Sequence, residues 1–141
     1  MESRKAACLA YAAAFRERLD QLREAILDVT VVDHVSPSEA PALFSHAQEL
    51  LDEPTEELAH AERSTVAVNP RTVTERSVTA SRRLREYEAA VRIALSSEAE
   101  SREARVEDAK KAHASTYDAY LDFLHAASED LGDYDVLRRG A

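Results

Sequence analysis

Tryptophan is absent from this 141-residue chain, cysteine occurs once (Cys8), and glycine occurs twice, at Gly132 and Gly140. A lone cysteine rules out an internal disulfide and gives no sign of an oxidising compartment. So little glycine removes the turn chemistry on which most α/β and all-β folds rely. No apolar run approaches the roughly 20 residues that a membrane span requires. Basic residues are the minority charge, 18 against 27 acidic, for a net charge of −9. That balance disfavours binding to nucleic-acid backbones and to anionic membranes. There is no glycine-rich phosphate loop, and no Ser/His/Asp or Cys/His arrangement stands out.

What is present is helix. Thr72 to Leu131 holds neither glycine nor proline and is dense in Ala, Glu, Arg and Leu. The length suits one domain, read as a bundle over residues 1–131 with a frayed tail at 132–141. In the tail, Tyr134 and Leu137 are the residues expected to fold back. A first helix, about residues 3–33, carries a seam of Cys8, Ala12, Phe15, Leu19, Leu22, Ile26 and Val29 at alternating steps of four and three. Cys8 reads as a small buried hydrophobe. Glu17, Arg18, Asp20, Arg23 and Glu24 fall on the side assigned to solvent. The Ala- and Arg-rich start, Met1 to Leu19, has the amphipathicity of a mitochondrial presequence, but Glu2 and Glu17 oppose it. A cytoplasmic protein is expected, with mitochondrial import as the alternative.

A second helix, about 37–67, opens on the capping signal Ser36-Pro37-Ser38-Glu39. Its seam runs through Leu43, Ala47, Leu50, Pro54, Leu58, Ala61 and Thr65, and Pro54 is expected to kink it. This helix is acidic, whereas the segment after the Asn69-Pro70 turn is rich in arginine. Antiparallel pairing about that turn predicts Glu62 beside Arg76, Glu56 beside Arg82 and Glu53 beside Arg85. Exposed pairs of this kind are worth about 0–1 kcal/mol each, so they select a neighbour rather than drive folding.

The capping box Thr72–Glu75 opens a third helix, about 72–96, with a seam of Val73, Ser77, Ala80, Leu84, Tyr87 and Val91. Serines between Ser96 and Ser101 suggest a turn before a fourth helix, 101–131. That helix carries His113, Tyr117, Tyr120, Leu124, Ala127 and Leu131, and Gly132 ends it. The favoured architecture is an all-α, antiparallel, up-down four-helix bundle. The alternative is three helices, the third a coiled-coil-like rod from Thr72 to Leu131 about 90 Å long. A rod of that kind needs a second chain to cover its aromatic end.

The functional expectation is a non-enzymatic protein-interaction module: a bundle subunit, an adaptor or a small chaperone-like factor. Its partner is another protein, or a second copy if the rod forms. The interface candidates are Tyr117, Tyr120, Phe123 and Leu124, with Phe123 lying off the seam. A metal-dependent bundle enzyme is the alternative from another class. Its support is one Glu-x-x-His, Glu57 to His60, and the acidic pair Glu56-Glu57. A di-metal site wants the Glu-x-x-His motif twice, with glutamates from two further helices. No metal or cofactor is therefore expected. A membrane-surface scaffold is a third reading, weakened by the net negative charge.

Overall fold

The structure, a computed structural model, describes residues 2–141, so Met1 lies outside the described residues. Its helices are α1 (Glu2–Val31), α2 (Ala40–Leu51), α3 (Glu56–Val68), α4 (Arg71–Ser96), α5 (Ala99–Leu131) and α6 (Asp135–Gly140). A short 3-10 turn, Val32–His34, follows α1, and no strand occurs among the described residues. This is the expected all-α antiparallel bundle. α4 and α5 pack on one another along their length, and α1 lies against both while also contacting α2 and α3. α1 and α5 run in opposite senses: Arg4 meets Asp130 at 2.8 Å, and the Tyr120 hydroxyl reaches the Ala12 carbonyl at 3.2 Å.

The seam residues read from α1 and α4 are all buried, from Cys8 to Val29 and from Val73 to Val91. Tyr11 and Ala25 are buried with them, so the apolar face of α1 is wider than a coiled-coil stripe. Burial pushes the Cys8 thiol up to about 11, which leaves it an inert core group.

The long segment does not continue as a rod. It reverses at Ser97 and Glu98, whose backbones are extended (φ −75°, ψ 152° and φ −73°, ψ 156°). The hydroxyls of Ser96 and Ser97 both donate to the Ile93 carbonyl, offering the last turn of α4 an alternative to further helix. Arg102, one turn into α5, donates to the Ser97 carbonyl at 2.7 Å and pairs with Asp33, and its guanidinium lies over the Phe44 ring.

Several local expectations are corrected. Helix two is not kinked at Pro54 but broken into α2 and α3 by residues 52–55, with Pro54 exposed between them. α2 begins at Ala40, three residues past Pro37, because the Ser36 carbonyl accepts the Glu39 and Ala40 N–H groups first. The Ser36 hydroxyl faces Ser38 and caps nothing. Thr72 likewise lies inside α4, which starts at Arg71 behind Pro70 and has no side-chain cap. The charge register is displaced as well. Glu62 meets Arg85 at 3.9 Å, Asp52 meets Arg92 at 3.5 Å, and Arg71 pairs along its own helix with Glu75. Among the described residues, no ion pair joins Arg76 or Arg82 to Glu56 or Glu62, and Glu53 is exposed. Such weak surface pairs follow the packing of the helices rather than set it. The tail is ordered rather than frayed. α6 buries Val136 completely, while Tyr134 is exposed.

Breaking helix two leaves the carbonyls at the end of α2 inside the bundle, where they need donors. Arg18 of α1 supplies them, although it was placed on the solvated side; it is 4% exposed. Its guanidinium donates to the carbonyls of Leu50 and Leu51, at 3.0 Å each, and pairs with Glu88 of α4. Arg92 adds a second donor to the Leu51 carbonyl at 2.9 Å and also meets Glu88. On the outer side, His46 of α2 sits 2.5 Å from Asp28 of α1, and that hydrogen bond raises its pKa. Replacing Arg18 with Met removes the buried partner of Glu88 and one donor from each of two carbonyls, which keep Arg92 and the Glu53 N–H, so it is expected to cost about 2–3 kcal/mol. Arg92→Met, at a more exposed position, is expected to cost about 1 kcal/mol or less. Urea unfolding of the two variants checks this, and equal losses would contradict it.

Candidate functional site

The residues proposed for an interface are largely spent inside the chain. Tyr120, Phe123 and Leu124 are buried, and Tyr117 is half-buried. Phe123 packs edge-on against Tyr11 at 4.8 Å between ring centres, and Tyr120 stacks on Phe15 at 4.6 Å. The Tyr11 hydroxyl donates to the Ser77 carbonyl at 2.9 Å, with Ser81 2.7 Å away, which ties this aromatic cluster to α4. The Tyr120 hydroxyl lies between the carbonyls of Gly140 and Ala12, at 2.8 and 3.2 Å. Its pKa is pushed up to about 12, mainly by burial. The fold-back turns Tyr120, Phe123 and Leu124 into core and leaves Tyr117 half-buried at its edge, which corrects their assignment as an interface.

Two turns before Tyr120 on α5, His113 meets Tyr87 edge to face at 5.3 Å. Burial first, then Arg23 and Arg16, hold the imidazole below its ordinary pKa. The Tyr87 hydroxyl is buried without a hydrogen-bond partner. The metal-type residues remain apart. Glu56, Glu57 and His60 are all exposed on α3, and no group of three His, Cys, Asp or Glu side chains is placed to hold a metal ion among the described residues. No described helix is long and apolar enough to cross a membrane. A small cleft of about 170 Å³ lies between α3 and α4, but its carboxylates, Glu62 and Glu88, already face Arg85 and Arg18.

A larger recess lies at the far end of the bundle, where the last turns of α1 face the first half of α5. A groove of about 530 Å³ is lined there by Val29, Thr30, Arg102, Val106 and Lys110, with Glu103 and Glu107 on its α5 side. Val29, Ala99 and Val106 are the apolar side chains within it, and Arg102 is held in place by Asp33 and the Ser97 carbonyl. Leu27 and Val31, one helical turn apart on α1, are exposed at 55% and 42%. Neither lines the groove; they share the last turns of α1 with its residues Val29 and Thr30. Nothing in the seam pattern marked them, because both fall outside it. The signal available was two large aliphatics, four residues apart, off the seam of an amphipathic helix.

Compared with family models, with curated proteins and with solved structures, the chain matches none.

The two buried tyrosine hydroxyls give opposite expectations. Tyr120→Phe removes a bonded hydroxyl and strands the Gly140 carbonyl, at an expected cost of about 1 kcal/mol. Tyr87→Phe removes a hydroxyl that has no partner, so stability is expected to stay level or rise. Denaturant midpoints of both variants test the contrast; a Tyr87→Phe loss as large as that of Tyr120→Phe would overturn it.

Proposed function

We propose that this chain is a non-enzymatic helical-bundle subunit that binds another protein through the groove between the C-terminal end of α1 and the first half of α5. The observation that carries the reading is a groove against the last turns of α1, the same turns that leave Leu27 and Val31 exposed. Large aliphatics held out of the core beside a recess are the kind of surface that receives an apolar anchor from a partner. Glu103 on the other wall favours a partner segment with a basic residue next to its anchor, whereas Glu107 already meets Lys110 at 3.3 Å.

A photo-crosslinking amino acid placed at position 27, at position 31 and at the exposed control position 63 tests this in cells. The expected result is one discrete protein adduct at 27 and 31 and none at 63. That adduct should weaken when Glu103 is replaced by Lys. Equal labelling at all three positions, or no adduct at 27 and 31, would contradict the reading.

A further inference from the structure

We propose that α6 is an exchangeable element, and that its seat on α1 and α5 is an interaction surface for the α6 of a second copy of this chain. The seat lies at the end of the bundle away from the groove described above and does not depend on it. Its apolar part is made by Tyr120 and Leu124. Gly140 approaches so closely that an added Cβ would fall 2.7 Å from a Leu124 methyl. Its polar part is equally specific. The Tyr120 hydroxyl donates to the Gly140 carbonyl, and the Ser128 hydroxyl accepts the Leu137 N–H at 3.1 Å. Lys5 of α1 lies 2.6 Å from Asp133 and 3.2 Å from Asp135, so a cationic corner receives the acidic start of the segment.

Two further observations make this segment separable. At six residues, α6 is far below the roughly 12–15 that a free helix needs, so the seat is what makes it helical. Val136 is its one fully buried large side chain and Leu137 packs beside it half-buried, so seating draws on two apolar residues. The connection is unencumbered as well. Gly132 is left-handed (φ 65°) with open space around it, and Tyr134 is 56% exposed. An opening at residues 132–134 therefore frees α6, withdraws Val136 from the edge of the core and uncovers a seat shaped for the same sequence. Two chains that exchange this helix recover every contact that each one loses.

The test uses the full chain with its own α6 unseated, by Val136→Asp in one variant and Gly140→Leu in another, with folding verified by amide NMR spectra. The probe is a fluorescent peptide of residues 130–141 in the wild-type sequence. Saturable binding to at least one folded variant is expected, about tenfold or more tighter than to the wild-type chain, whose seat is already filled. The same peptide carrying Val136→Asp should not bind. Equal affinity for the wild-type chain and the variants, equal binding of the altered peptide, or no binding to any folded variant would overturn the proposal.

Discussion

One guanidinium stands where α4 hands over to α5. Arg102 is 8% exposed and joins the Ser97 carbonyl, the Asp33 carboxylate and the face of Phe44. Those partners lie in the reversal itself, in the turn after α1 and in α2, so one side chain pins three connections at one end of the bundle. The consequence reaches the other end. Because the chain turns back at Ser97, the aromatic half of α5 returns over α1, and Tyr120 and Phe123 close on Phe15 and Tyr11. Without the reversal, the same aromatics would stand uncovered on a rod.

A second arginine solves the problem that the first connection leaves. Splitting helix two exposes backbone carbonyls in the interior, and Arg18 covers Leu50 and Leu51 while Glu88 balances its charge. These two arginines were not legible from charge alone, since an arginine on a helix is assigned to water by default. Position was the better guide. Arg18 falls three residues after Phe15 and four before Leu22, and Arg102 falls four before Val106, so each lies in line with an apolar face. The seams of α1 and α4 were legible because burial imposes a helical period on large side chains. The charge register was not, because pairs worth a fraction of a kcal/mol follow the packing of helices rather than fix it.

The four aromatic and aliphatic residues taken for an interface show the same limit. Their apolar face was correctly seen, but its cover turned out to be the same chain: α1 over one part and α6 over the rest. Leu27 and Val31 went unremarked because they sit off the seam, which is also why they remain exposed. In a bundle closed on itself, surface for other molecules is found where the periodic pattern is broken, not where it is strongest.

The claim beneath all of this is that the long segment folds back within one chain. Small-angle scattering together with light scattering for mass tests it directly. The account predicts the mass of a single chain in dilute solution and a maximum dimension of about 50–60 Å, set by the 33 residues of α5 at 1.5 Å each. A dimer with a dimension near 90 Å, the length of an unbroken helix from Thr72 to Leu131, would contradict it.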